Sequence, residues 1–292
     1  MSTQATDAPV GGQPDLRADV HTGIRTYVVG SRQVRPNLPS AGCPFCPGGL
    51  EAPDPYEVRW FPNRWPAMPD GRCEVVLYTS KHDATFWSLG ARGARKIVDL
   101  WAERSAELGA RADIAYVLVF ENRGAEVGAT IEHPHGQIYA FDFVPELPRR
   151  ELERGDLFGS PDGRLVATAP GWRAWVPEAP TFPYALVVVP DAPVPDLPSL
   201  DEAGREGLAL ILVDVLERLD RLFDAPAPYM LWIHQRPFDG GEWPGARLHV
   251  EIVSSWRAPG LPRYVAAGEL GSGVFFNPVP PEEAAQSLRD AR

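Results

Sequence analysis

Apolar positions along the chain change period in an order that occurs twice. Cys73-Glu74-Val75-Val76-Leu77-Tyr78 is a strand-like run of β-branched and aromatic residues. A helix-length stretch near Leu89–Leu108 follows, with Ile97, Leu100, Trp101 and Leu108 close to helical spacing. Ala115-Tyr116-Val117-Leu118-Val119-Phe120 then predicts a strand, and His133 to Tyr139 a second, histidine-bearing one. Further on, Tyr184 to Val189 predicts a strand, and Leu200–Phe223 a helix striped by Leu208, Ile211, Leu212, Val215, Leu219 and Leu222. Tyr229 to His234 and Leu248 to Val253, which contains His249, complete the second pass.

Each pass is preceded by a similar lead: Trp60-Phe61-Pro62 in the first and Trp175-Val176-Pro177 in the second. Pro62 to His133 is 71 positions, and Pro177 to His249 is 72. Two ordinary β-β-α-β-β stretches that match by chance are the alternative. Matched order, matched spacing and a histidine at the same point favour an internal duplication. The expected fold is therefore α+β: two tandem β-β-α-β-β repeats joined into one continuous antiparallel sheet or half-barrel, with helices packed on it. Neither repeat alone carries much core. The repeats divide as residues 1–145 and 146–292, with 1–22 read as a flexible arm. The Pro-rich stretches at 190–195 and 278–281 read as loops inside a compact body.

Composition narrows the function. With 39 acidic and 28 basic residues the net charge is -11, so sequence-independent binding to a phosphate backbone is not expected. The first twenty residues have no apolar core, so they do not read as a signal peptide, and no run reaches the roughly 18 apolar residues of a membrane span. Three cysteines, two of them in Cys43-Pro44-Phe45-Cys46, point to a reduced, cytoplasmic setting with metal or redox use. A closed zinc site needs two ligands beyond Cys43 and Cys46, and no thioredoxin-like βαβ context surrounds them.

The first histidine strand concentrates the candidate chemistry. Side chains alternate along a strand, so His133, His135 and Gln137 are expected on one face. Gly136 permits close approach of a phosphate or another backbone, and Pro134 removes a ladder donor. Upstream, Gly124, Gly128 and Thr130 make a small polar loop whose N–H groups suit phosphate oxygens. A neutral imidazole is a competent nucleophile toward phosphorus at neutral pH when one ring nitrogen is unprotonated.

These residues, in Phe120-Glu121-Asn122-Arg123-Gly124 through Gly128 to His133-Pro134-His135-Gly136-Gln137, resemble the signature of galactose-1-phosphate uridylyltransferases, in the histidine-triad superfamily. The resemblance runs from about Arg32 to Arg289 and keeps the family's motif order. It implies two histidine-triad-like repeats and His135 as the nucleophile, with Gln137 binding the migrating phosphoryl group. The implied reaction moves UMP from UDP-glucose to galactose 1-phosphate by a ping-pong route through uridylyl-His135, releasing glucose 1-phosphate and then UDP-galactose. A related transferase or phosphorylase using another nucleoside diphosphate sugar or sugar 1-phosphate is the alternative, and a non-catalytic nucleotide sensor is a third class. A sensor would not need the nucleophile.

The resemblance also implies Arg32 and Arg35 on the phosphate side, and Asn63 in the base-and-ribose region. Asn122, Gly128, Thr130 and Gln137 fall at substrate positions, and Glu269 at a hexose hydroxyl. It completes a zinc site as Cys43, Cys46, His82 and His133, which would clamp the strand that aims His135. A second metal, zinc or iron, falls on Glu151, His234, His249 and Glu251. Three positions depart from the family: Arg64 replaces an acidic residue, Glu251 replaces a histidine, and Phe275 stands near a polar contact. The implied partners are small-molecule substrates and a second copy of the chain, with no nucleic acid and no membrane.

Overall fold

The polypeptide path alternates strands and helices in the expected order. The computed structural model describes residues 14–34, 42–155 and 158–292. A hairpin of β1 (Asp15–Ala18) and β2 (Arg25–Val28) comes first. Then follow β3 (Arg59–Pro62), β4 (Cys73–Leu77), α1 (Gly90–Gly109), β5 (Tyr116–Arg123) and β6 (His135–Phe141). A connecting helix α2 (Glu146–Arg154) leads to β7 (Leu165–Ala169), β8 (Trp172–Trp175), β9 (Leu186–Pro190), α3 (Glu202–Phe223), β10 (Tyr229–His234) and β11 (His249–Ser254). The chain ends with β12 (Trp256–Ala258), β13 (Leu261–Pro262), α4 (Ala267–Ser272) and α5 (Pro281–Asp290).

Nine strands form one antiparallel sheet in the order β3-β4-β6-β5-β10-β11-β9-β8-β7. The order reads the same from either side of the β5–β10 seam, apart from the extra β7, so the two passes are related by an approximate two-fold. The registers match too. Gln137 sits between Val75 and Phe120, and Glu251 between Val187 and Trp232; Phe120 and Trp232 face each other across the seam. By that register His249 is the counterpart of His135, and Trp175 of Phe61 rather than of Trp60 as the sequence lead suggests.

One face of the sheet is covered by α1 and α3, which pack on each other, and a single core runs under both halves. Asp201 caps α3 by accepting the Gly204 N–H at 2.7 Å, fixing where the amphipathic stripe begins. On β6 the alternation is clean: Gly136, Ile138 and Ala140 are buried toward the helices, while His135, Gln137, Tyr139 and Phe141 are half-buried on the opposite face. That open face holds the candidate chemistry.

Of the arm expected over residues 1–22, residues 1–13 lie outside the described residues, and Asp15–Ala18 pairs with Arg25–Val28 in the β1–β2 hairpin, where Tyr27 reaches the charges of Arg72 and Asp142. The connection between repeats is helical, held by Arg149 and Arg150 pairing with Glu146 rather than by an apolar stripe. Among the described residues no helix is long and apolar enough to cross a membrane.

Candidate active site

β6 presents His135 and Gln137 to the open side because strand residues two apart share a face. His135 Nδ1 donates to the backbone carbonyl of His133 at 2.8 Å. That bond selects the tautomer in which Nε2 is unprotonated, the form a nucleophile requires. The Phe45 ring stands 5.1 Å from the His135 ring and 6.2 Å from His133, a wall shared by both. Beside them, Asn63 follows β3 and points its amide Nδ2 toward Gln137 Oε1 at 3.4 Å, while its Oδ1 accepts the Trp65 N–H. Asn122 on β5 lies two residues from Phe120, the partner of Gln137, so it is the lateral neighbour of His135 on the same face.

The loop between β5 and β6 turns through positive φ at Gly124 and Gly128, at +97° and +83°. A Cβ at Gly124 would lie 2.8 Å from the Pro228 side chain, so glycine is required there by both conformation and space. Thr130 is half-buried at the end of this loop. Arg32 lies in a 3-10 turn at Gly30–Val34, near enough for its charge to act on Cys73. Arg35 lies outside the described residues.

Cys43, Cys46, His82 and His133 come together with their ligand atoms all within 4.8 Å of one another. Cys46 Sγ is 3.5 Å from His82 Nδ1 and 3.6 Å from His133 Nδ1. A tetrahedral zinc with ligand bonds of about 2.3 Å to sulfur and about 2.0 Å to nitrogen sets adjacent S···N distances at roughly 3.5 Å, so the donors fit that ion. His133 is fully buried, and its Nε2 donates to the Thr79 carbonyl at 2.7 Å, which leaves Nδ1 to face the sulfur. Burial, and secondarily the charge of His82, lower the His133 pKa and keep the ring neutral. Tyr56, which the sequence reading missed, donates to the carbonyls of Phe45 and Thr79 and lies 2.9 Å from His133 Nε2. No periodic pattern in its loop marks it.

The two-fold repeats this arrangement in the second half. His249 Nδ1 donates to the Arg247 carbonyl at 2.9 Å, as His135 does to His133, and Phe158 stands 4.9 Å from His249, as Phe45 does from His135. Glu151, His234, His249 and Glu251 gather here, with ligand atoms within 4.8 Å of one another. A cavity of about 460 Å³ opens over them, bordered by Phe158, Trp175 and Val187. His234 Nδ1 and Glu151 Oε2 are only 2.6 Å apart, a hydrogen bond and not a spacing between two ligands of one ion. A metal here would have to displace that proton. Burial works against it, but hydrogen bonds from His234 and His249 hold Glu151 down at about 2. His249 rises to about 9 despite burial, through Glu151 and Glu251.

Glu269 lies in α4, in the segment after β13. Its carboxylate accepts from the Arg263 guanidinium and from the N–H groups of Ala266 and Phe276, both at 2.9 Å, and it is shielded from solvent. It closes its own loop, which Asn277 ties to the carbonyls of Pro180 and Phe182 ahead of β9. β9 lies four strands from β6, roughly 19 Å at ordinary interstrand spacing. Within one chain the carboxylate is therefore held by its own loop, four strands away from His135.

Residues 63–145 match the model of the galactose-1-phosphate uridyl transferase N-terminal domain, and residues 132–255 that of the C-terminal domain. A galactose-1-phosphate uridylyltransferase from Streptomyces lividans is 38% identical over 288 residues, covering 86% of this chain and 79% of that protein. One from Thermotoga maritima is 33% identical over 94% of this chain and 98% of its own length. The chain belongs to the galactose-1-phosphate uridylyltransferase family. A solved uridylyltransferase structure overlays this family member with a TM-score of 0.85 at 29% identity, covering 94% of this chain and 98% of that one. An ADP-glucose phosphorylase structure from Arabidopsis thaliana shares the fold, with a TM-score of 0.76 at 23% identity.

Proposed function

We propose that this uridylyltransferase family member moves UMP from UDP-glucose to galactose 1-phosphate through a uridylyl-His135 intermediate. The observation that carries the reading is the His135 tautomer, with Nδ1–H held by the His133 carbonyl on the face shared with Gln137. Nε2 attacks the α-phosphorus of UDP-glucose; the P–N bond forms as the P–O bond to glucose 1-phosphate breaks. A phosphate oxygen of galactose 1-phosphate then attacks the same phosphorus, the P–N bond breaks, and UDP-galactose leaves. The Gln137 amide suits the phosphoryl oxygens because it hydrogen-bonds charge without exchanging a proton. Asn63, oriented by Trp65 and touching Gln137, is assigned to the nucleotide side with Asn122, Gly128, Thr130 and Arg32.

Zinc is assigned to Cys43, Cys46, His82 and His133, where it would anchor the residue whose carbonyl orients His135. Residues 1–145 and 146–292 are taken as the two repeat units on their matched registers. A cytoplasmic, homodimeric state fits the paired thiols and a run of exposed apolar side chains: Leu261, Tyr264, Leu270, Val274, Phe275 and Phe276. The deciding assay incubates the protein with UDP-glucose, ADP-glucose or GDP-mannose labelled in the nucleotide. Labelled UMP retained on the chain and discharged by galactose 1-phosphate is the expected result. Retention of AMP or GMP instead would overturn the uridine assignment, and no retained nucleotide would overturn the covalent route.

A further inference from the structure

Behind the nucleophile, on the helix side of the sheet, lies a polar group that the proposed chemistry does not use. Glu121 follows Phe120 on β5, and Phe120 pairs with Gln137, so Glu121 stands beside Gly136, between the two site residues. It is buried. Tyr229 of β10 donates its hydroxyl to Glu121 Oε1 at 2.6 Å across the seam. Tyr78, one residue beyond β4, presses its hydroxyl on Gly136: a Cβ built there would meet it at 2.2 Å. Glu121 Oε2 and the Tyr78 hydroxyl are both shut away from water and near enough to act on each other's ionisation. Burial pushes the Glu121 carboxyl up to about 7.

The internal repeat supplies a control. In matched register Gly136 corresponds to Val250, Glu121 to Ile233, and Tyr78 to Pro190. The half without the candidate nucleophile forms the same sheet with apolar residues at all three places. The fold does not need the polar group, and burying a carboxyl among apolar side chains is unfavourable. Its presence behind His135 alone therefore calls for a role in the site.

We propose that Glu121, acting with Tyr229 and Tyr78, is a positioning residue for the nucleophile strand, holding Gly136 from behind and so fixing how far His135 and Gln137 project toward the phosphate. The inference rests on the reading of His135 as nucleophile. A small displacement of a reacting nitrogen slows transfer far more than it weakens binding of the nucleotide. Arg123, paired with Asp220 of α3, and Trp101 of α1 border the group, so it is enclosed by elements from both halves.

The test measures single-turnover uridylylation, UDP-glucose affinity and thermal midpoint in Glu121→Leu, Glu121→Gln and Tyr78→Phe. Glu121→Leu, which imitates the apolar counterpart, is expected to keep or raise the midpoint and hold affinity within about threefold, while the rate falls about tenfold or more. Glu121→Gln, which retains an acceptor for Tyr229, should fall between it and wild type. Tyr78→Phe keeps the ring among Phe86 and Trp101 and is expected to slow the step about fivefold with normal affinity. A normal rate in Glu121→Leu or in Tyr78→Phe overturns the proposal, as does a rate loss that only tracks the folded fraction. A wild-type protein that forms no adduct overturns the nucleophile reading itself; a wild-type adduct with unaffected variants overturns only the positioning role.

Discussion

His135 and Glu269 show how differently a single side chain can be read before and after its neighbours are known. The face of His135 follows from strand alternation, and its tautomer from one bond to the carbonyl two residues back. Replacing it with alanine removes the attacking nitrogen but leaves the His133 carbonyl able to meet water. His135→Ala is expected to fold normally and to lose turnover by about 10³-fold or more, with no labelled adduct. Adduct still trapped on the alanine variant would refute the assignment. Glu269 is different: nothing in a lone glutamate of a Gly-rich stretch reveals that Arg263 and two backbone N–H groups will enclose it. Glu269→Gln is expected to loosen that loop, read as faster amide exchange at Phe276, and to leave the rate of adduct formation unchanged. A slowed first half-reaction would contradict its confinement to the loop.

Elements were legible where packing follows a period. The stripes of α1 and α3 and the apolar runs of β4, β9 and β10 are consequences of burial against one core, so the sequence carries them openly. The β1–β2 hairpin is nearly all exposed and α2 is held by charge pairs, so neither bears a periodic apolar signal. The Glu121–Tyr229 contact joins residues 108 positions apart and is visible only once β5 and β10 are in register. At this scale the Cys₂His₂ group brings together the segment before β3, the loop after β4 and the start of β6, which a bound zinc would clamp. Cys43→Ser with Cys46→Ser is expected to remove about one zinc per chain, to lower the thermal midpoint, and to slow adduct formation as the His133 carbonyl loses its anchor. Elemental analysis before and after substitution measures the first effect, and unchanged zinc content would dismiss the site. After mild dialysis the second group should be the emptier one, since a metal there competes with the proton on the His234–Glu151 bond.

At the scale of the whole molecule, the nine-stranded sheet is written twice, and one half keeps a histidine with an unprotonated nitrogen while the other surrounds its counterpart with carboxylates. Gln137 and Glu251 occupy the same register, so an uncharged amide stands beside His135 where a carboxylate stands beside His249, and Glu151 and Glu251 raise His249. The second group thereby ties α2, the connector between the repeats, to β10 and β11. In protein stripped of metal this tie should give stability a definite pH dependence. His249 rises from 6.5 to about 9 on folding, so its contribution is full below about 6.5 and disappears as pH climbs through about 9. Glu151 falls from 4.5 to about 2, so its contribution is full above about 4.5 and disappears as pH drops through about 2. The two overlap between about pH 4.5 and 6.5, and the chelated protein should have its highest thermal midpoint there as far as this group decides it. Glu151→Gln removes the strongest partner of both histidines, so the decline between pH 6.5 and 9 should flatten in that variant. Melting curves of the chelated wild type and variant across that interval measure the difference directly. Parallel curves would mean that the cluster does not fasten the connecting helix to β10 and β11.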